Sequence, residues 1–174
     1  GFAARTCRRR AYIAGVTLHD ALHALHMQAL TRAAEFGDDQ AAVAAVVVAD
    51  ALLANCLGEL GEVEEQLAIY QRLAPMAKDP LAYNLRIGLA LRTLGRFKEA
   101  AAAFRAVLAR IPWEGTSWHN LSNLKVVTFS ESDIRQMEEG LKLVGAPIEN
   151  TIRLHFALGK AHEDRDDAPR AFDH

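Results

Sequence analysis

Several classes of protein are excluded by what this sequence contains little of. Its two cysteines, Cys7 and Cys56, are too few for a disulfide framework and are typical of a reducing compartment, so we expect a cytoplasmic protein. Neither sign of charge is in large surplus, because 20 lysines and arginines stand against 22 aspartates and glutamates. A protein that coats nucleic acid normally carries a basic surplus. The most apolar run, Ala41 to Leu53, is too short to span a bilayer, so we expect neither nucleic acid nor a membrane as a partner.

Motifs that carry enzyme chemistry are also missing. Neither glycine-rich phosphate-binding pattern, GxxxxGK[ST] or GxGxxG, occurs, and Gly95-Arg96 joins two predicted helices rather than a strand to a helix. No serine stands in a nucleophile elbow. Acidic pairs such as Glu64-Glu65 and Asp166-Asp167 fall in turns or first helical turns, where they favour the helix dipole. We therefore predict no catalytic residue and no cofactor in this chain.

Residues 1–16 form a basic tail. Arg5 and Arg8 to Arg10 imitate the charged start of a signal peptide, but the stretch after them, Ala11 to Gly15, is too short for an apolar signal core. A solvated tail explains these arginines better than nucleic-acid binding does. Gly1 is not a natural initiator residue, which indicates an expression remnant or a fragment boundary.

The spacing of the prolines and of the apolar residues predicts an all-α fold. Five prolines are spaced so that each begins or ends a helix, and the apolar residues between them recur with a period near 3.6. The predicted helices cover residues 18–36, 39–60, 63–74, 80–94, 97–110, 114–127, 131–144 and 148–163, with a further start at Ala168.

The sequence also repeats itself. Residues of like kind recur 34 positions apart: Gly61 and Gly95, Tyr70 and Phe104, and the series Leu53, Ile87 and Leu121. This period is typical of the tetratricopeptide repeat (TPR), a pair of antiparallel helices. The best copy reads Asn84-x2-Ile87-Gly88-x2-Leu91, then Ala100-x3-Phe104, then Pro112. Small residues stand where two helices cross closely, and Phe104 fills the space between neighbouring repeats.

The expected architecture is a right-handed superhelix of about four helix hairpins with an N-terminal helical cap. The cap or a degenerate repeat covers residues 17–46, and the repeats cover 47–80, 81–114, 115–151 and 152–174. The third repeat carries a three-residue insertion in the turn Val126 to Ser132. The fourth stops in mid-helix at His174, so we expect a fragment of a longer protein. Its unfinished apolar face, Ala168 to His174, would let an isolated fragment form a homodimer.

A stack of such repeats has a concave groove that is lined by the first helix of each repeat. Projecting the repeat phase onto that groove predicts one set of partner-binding residues: Asn55, Glu59, Leu85, Leu89, Arg92, Thr116, His119, Asn123, Phe156, Lys160 and Glu163. This mixture suits an extended peptide or a helix. The alternative is that these are simply solvated helix positions. Some TPR domains clamp a chaperone C-terminal carboxylate with Lys and Asn; Asn55 matches one such place, but Ala51 stands where the lysine belongs.

Histidines offer the one pattern with metal-ligand spacing. His19, His23 and His26 share one helix face, but no carboxylate or cysteine clearly completes a site. We interpret them as the half-polar face of a capping helix and predict no metal. His155 and His162 stand at the usual Trp and Tyr places of the repeat, so we interpret both as packing residues.

Two stretches resemble a more specific family. Trp118 to Lys125 with Phe129 to Ile134 and Met137 to Leu141, and then Leu154 to Arg165 with Arg170 to His174, are similar to segments of bacterial TPR-containing sulfotransferases. The resemblance covers roughly 81–174. It implies that an α/β domain with a sulfonucleotide donor follows the repeats in a longer polypeptide.

We accordingly expect a protein–protein interaction scaffold from the N-terminal region of a larger sulfotransferase-like protein. The alternative is the acceptor-recognition part of such an enzyme, with its catalytic domain beyond this chain.

Overall fold

The computed structural model describes residues 20, 23, 24, 26–28, 31, 39–77, 79–165, 167, 170 and 171. The predicted tail 1–16, most of the predicted helix 18–36 and most of the predicted dimerisation segment 168–174 lie outside these residues. Each described residue between 20 and 31 is helical. The chain divides into two compact units, 1–83 and 84–174.

Arg170 and Ala171 are helical, and seven α-helices with defined bounds occur among the described residues from 39 onward. They are α1 (Asp39–Leu60), α2 (Val63–Leu73), α3 (Pro80–Thr93), α4 (Phe97–Leu108), α5 (Gly115–Ser122), α6 (Glu131–Leu141) and α7 (Ile148–Glu163). A short 3-10 turn, Ala74–Met76, follows α2. No strand occurs among the residues that the structure describes, and the predicted all-α class is confirmed.

The bounds of α1 and α7 are those that the sequence predicts, whereas α5 ends at Ser122 rather than at residue 127. The reason is local competition for one carbonyl group. The Ser122 hydroxyl and the Asn123 side-chain amide both donate to the His119 carbonyl oxygen, at 2.8 Å each. Side chains that bond the backbone in this way oppose further helix, and α5 stops there.

In unit 1–83, α1 and α2 pack as a hairpin around a small core. Leu53, Ala54 and Leu57 of α1 are buried, and so are Leu67 and Tyr70 of α2. Gln66 stands where the repeat prefers a small residue, and its side-chain amide donates to the Ala54 carbonyl oxygen at 3.0 Å. The hydrogen bond explains how a long polar side chain fits at this crossing.

In unit 84–174, the close approach of α3 and α4 requires glycine. A Cβ on Gly88 would lie 2.6 Å from Cε1 of the fully buried Phe104 ring, so even alanine would displace that ring. Gly95 in the following turn has φ of 73°, a left-handed conformation that glycine adopts without strain. These two positions behave as the repeat pattern predicts.

Two arginines contact residues in and beside the connection between α5 and α6, residues 123–130, which overlaps the turn Val126 to Ser132 where the sequence predicts an insertion. Arg105 lies over the rings of Trp118 and Phe129, 5.3 Å and 6.0 Å from their centroids, and its Nη2 donates to Asp133 Oδ2 at 2.9 Å. Arg165 donates to the Phe129 carbonyl oxygen at 2.9 Å and pairs with Glu131. We call this group of residues the turn clamp.

Asp133 of the turn clamp has a second task at the start of α6. Its Oδ2 accepts from the Ser130 backbone N–H at 2.8 Å, and the Ser130 hydroxyl accepts from the Asp133 N–H at 3.2 Å, which makes a capping box. Burial of Asp133 opposes its ionisation, but the hydrogen bonds from Arg105 and Ser130 outweigh burial and lower the pKa of its carboxyl.

Candidate partner-binding surface

Three predicted first helices, α3, α5 and α7, are joined by a chain of hydrogen bonds in unit 84–174. Arg92, in the last turn of α3, donates from Nη1 to Oδ1 of Asn120 on α5. The Asn120 amide donates to the Thr116 carbonyl oxygen at 2.7 Å, and Arg153 of α7 donates from Nη1 to the Thr116 hydroxyl at 3.3 Å. We call these four residues together with His119 the cationic surface.

The two arginines of the cationic surface have neutral partners. Elsewhere in the same unit Arg105 pairs with Asp133, and Lys160 pairs with both Glu163 and Asp164. Within the described part of the chain, no ion pair includes Arg92 or Arg153. An amide or a hydroxyl oxygen accepts a hydrogen bond without neutralising a guanidinium, so this surface keeps two positive charges.

His119 shows the effect of these charges. Its ring is half-buried, and burial lowers its pKa first, while the positive charges of Arg153 and then Arg92 lower it further. The Asn123 amide lies 3.4 Å from Nε2 of the ring. The lowered pKa favours the uncharged imidazole at neutral pH, and Arg92 and Arg153 supply the positive charges of the cationic surface.

An exposed apolar strip on α7 adjoins the cationic surface. Ile148, Ile152 and Phe156 are spaced four residues apart, so they share one helix face, and they are 69%, 60% and 53% exposed. The Phe156 ring lies edge-on to the His119 ring, with 4.8 Å between the centroids. The charged and apolar features thus form one continuous surface.

The other predicted groove residues are placed as follows. Leu85 and Leu89 are half-buried on α3, and Asn123 and Glu163 are exposed. Lys160 donates to Glu163 Oε2 at 3.0 Å and to Asp164 Oδ1 at 2.6 Å, so two carboxylates offset its positive charge at the C-terminal end of α7. Asn55 and Glu59 are exposed on α1 in the other unit, where Asn55 accepts a hydrogen bond from the Tyr70 hydroxyl at 3.0 Å.

Sequence reasoning missed Arg153 and Asn120. A signal for Arg153 was present, because it stands 37 residues after Thr116, the spacing at which the third repeat and the fourth correspond once the insertion is counted. Asn120 had no such signal. Its side chain is nearly fully buried, and its part in the surface follows from the hydrogen bond that it accepts from Arg92.

A second concavity, of about 450 Å³, lies on the α6 side of unit 84–174. Trp113, which is 46% exposed, Gln136 and Leu143 line it, together with Gly140, where an added Cβ would meet Trp113 at 3.0 Å. Arg135 and Glu139 place both signs of charge on its wall. The mixed lining does not indicate one ligand.

Two of the three histidines that share a predicted helix face, His23 and His26, lie among the described residues. His19 lies outside the described residues. Nδ1 of His26 lies 2.9 Å from Oδ1 of the buried Asp50, and Nη2 of Arg72 lies 2.5 Å from Oδ2 of the same carboxylate. His162 is buried, as expected of a packing residue. Of the residues described, no three His, Cys, Asp or Glu are arranged to hold a metal. Across the same residues, no helix combines the length and the apolar character that crossing a bilayer requires.

Comparisons with known proteins support the fold. No family model and no curated protein matches the sequence. Seven solved chains match, among them MamA, residues 41 to the end, from Desulfovibrio magneticus RS-1, and a double mutant of MamA from RS-1. The first has 17% identity and a TM-score of 0.52, and covers 87% of this chain and 90% of its own. The second has 17% identity and a TM-score of 0.53, and covers 87% and 89%. Since MamA contains TPR repeats, the chain has an all-α, TPR-like fold.

Proposed function

We propose that this chain is a protein-interaction module which binds a segment of a partner protein on the face formed by α3, α5 and α7. The observation that carries the proposal is the junction of the cationic surface with the apolar strip. A helix face that is only solvated does not need three exposed apolar side chains on one side of the helix. It also does not need two guanidinium groups beside them without a carboxylate partner among the described residues.

The division into repeats belongs to the same proposal. The hairpins α1–α2, α3–α4 and α5–α6 represent the repeats 47–80, 81–114 and 115–151, and α7 represents the first helix of the repeat 152–174. Under this division α3, α5 and α7 are first helices, which line the groove of a TPR stack. The exposed residues of α7 supply apolar contacts, and the arginines supply polar anchors.

Selection of peptides from a random library displayed on phage tests the proposal. The immobilised chain is the target, and the peptides that are recovered are titrated by calorimetry into two variants. Phe156→Asp places a charge in the apolar strip, and Leu143→Asp places the same charge in the second concavity as a matched control. We expect Phe156→Asp to weaken the recovered peptides about tenfold or more and Leu143→Asp to leave them unchanged.

Either of two results would count against the proposal. One is a selection that recovers no peptide. The other is a set of peptides that bind Phe156→Asp as tightly as the unchanged chain. Because Phe156 is more than half exposed, its replacement is expected to leave the fold intact, which circular dichroism checks.

We further propose that the repeats precede a sulfotransferase domain in a longer cytoplasmic protein. Support comes from the similarity of Trp118 to Lys125 and of Leu154 to Arg165 to the bacterial TPR-containing sulfotransferases. No described residue favours the alternative role in acceptor recognition, and it is not proposed. The reading frame beyond His174 is the test: a strand, a glycine-rich phosphate loop and a helix would support the proposal, and an early stop codon would contradict it.

A further inference from the structure

The cationic surface has unused capacity to bind an anion. Each guanidinium has five N–H donors, and Arg92 and Arg153 each give one of them to a neutral oxygen of α5. In the described part of the chain, neither arginine has a carboxylate partner. The turn clamp shows that this chain supplies carboxylates where an arginine has a structural task, as Asp133 does for Arg105.

The two guanidinium groups also act on one region. Both lie close enough to His119 to oppose its protonation, and both are held against the same helix by residues one turn apart, Thr116 and Asn120. A charged group that is already held in position loses little side-chain entropy when a ligand binds. The planar fork of arginine fits the two oxygens of a carboxylate.

Apolar residues lie on both sides of this region. Leu85 and Leu89 are half-buried on α3, two turns and one turn before Arg92 respectively, and Ile152 and Phe156 flank Arg153 on α7. A peptide that crosses α3, α5 and α7 would therefore place its acidic residue in the interior of the bound segment, with apolar residues before and after it.

On the basis of the proposed function, we propose that the partner segment is an acidic peptide in which an Asp or Glu side chain, flanked by apolar side chains, is bound between Arg92 and Arg153. The site differs from the carboxylate clamp that the sequence tests through Ala51 and Asn55. It uses arginines on α3 and α7, and it takes a side-chain carboxylate rather than a chain terminus.

Three short peptides, each acetylated and amidated so that no terminal charge remains, test the inference. In the first, glutamate alternates with leucine; in the second and third, glutamine or lysine replaces glutamate. Their affinities are measured by calorimetry. We expect the glutamate peptide to bind about tenfold more tightly than the glutamine peptide, and the lysine peptide to bind most weakly. Added salt should weaken the glutamate peptide most.

Variants of the arginines separate charge from structure. Arg153→Gln and Arg92→Gln are each expected to weaken the glutamate peptide about fivefold and to leave the glutamine peptide unchanged. A variant that merely loosens the helices would weaken both peptides by the same factor. Arg135→Gln, an exposed arginine on α6, removes the same charge from the second concavity and should change neither affinity.

The outcomes distinguish this inference from the proposed function. Equal affinity for the glutamate and glutamine peptides overturns the inference. The proposed function would still stand in that case if the library selection recovers peptides that Phe156→Asp binds more weakly. Failure of all three peptides to bind overturns the inference too. Loss of affinity in Arg135→Gln but not in Arg153→Gln would place acid binding at α6 and also overturn it. If the library selection also recovers no peptide, both proposals fail.

Discussion

The turn clamp and the cationic surface each contain two arginines, and the two pairs of arginines have different kinds of interaction partner. Arg105 and Arg165 of the turn clamp have carboxylate partners, aromatic rings or a backbone carbonyl oxygen around them. Arg92 and Arg153 of the cationic surface have an amide and a hydroxyl oxygen. The same side chain thus has a carboxylate partner in one region, whereas in the other region no carboxylate among the described residues pairs with it. Changes in the turn clamp should therefore affect stability, and changes in the cationic surface should affect binding.

The largest effect is expected from Trp118, one of the aromatic rings of the turn clamp. Trp118 is fully buried, packs edge-on against Phe129 with 5.8 Å between centroids, and donates from Nε1 to the Pro112 carbonyl oxygen at 2.7 Å. Trp118→Ala should lower the free energy of unfolding by about 4 kcal/mol in urea denaturation. Trp113→Ala is the control, because that ring is 46% exposed and its loss should cost below about 1 kcal/mol. Similar losses of stability for both variants would contradict the conclusion that the buried Trp118 ring stabilises the fold more than the exposed Trp113 ring does.

A smaller loss is expected from the carboxylate of the turn clamp. Asp133→Asn removes the charged hydrogen bonds to Arg105 and should lower the free energy of unfolding by about 2 kcal/mol. Because the pKa of Asp133 is lowered on folding, its contribution is present above the ordinary value of 3.8 and is lost as the pH falls through the lowered value. The variant should therefore lose less stability in acid than the unchanged chain. Glu139→Gln, from an exposed pair with Lys142, is the control and should behave like the unchanged chain.

The cationic surface should respond weakly in the same stability measurement. Arg153 is exposed and has a single hydrogen bond to the Thr116 hydroxyl, so Arg153→Gln should change the free energy of unfolding by no more than about 0.5 kcal/mol. The comparison with Asp133→Asn decides whether the two regions differ as described. A loss as large as that of Asp133→Asn would mean that Arg153 has a structural task, and the contrast would fail.

The smallest signal is the titration of His119, followed by NMR of the imidazole ring. Its pKa should lie below the ordinary 6.5, and Arg153→Gln should raise it, because one of the charges that oppose protonation is gone. A lowered pKa on folding means that the unfolded chain binds the proton more readily, so His119 contributes to loss of stability as the pH falls below 6.5. The glutamate peptide should raise the pKa, and the glutamine peptide should not. If the pKa of His119 is the same in Arg153→Gln as in the unchanged chain, the Arg153 guanidinium does not lie close enough to the imidazole to oppose its protonation.

Local features of the fold were predictable. The bounds of α1 and α7, the turn at Gly95 and the close approach at Gly88 follow from proline, glycine and apolar spacing, which act over a few residues or one repeat period. The early end of α5 was not predicted, since it depends on how two polar side chains share the His119 carbonyl oxygen. His119 and Phe156 were predicted as surface residues from the repeat phase, but their contact with each other was not.

The sequence by itself determined the all-α class, the bounds of α1 and α7 and the small residue at the α3–α4 crossing, and it predicts which positions face a groove in a TPR-like repeat. Only the tertiary structure decided which arginines are neutralised. Asp133 lies 28 residues from Arg105 and Glu131 lies 34 residues from Arg165. Arg92 and Arg153, in contrast, donate to neutral oxygens of α5, and no carboxylate of the described residues pairs with them. Helix formation depends on neighbours along the chain, but charge compensation depends on distances through space between helices, and these distances exist only after the helices pack.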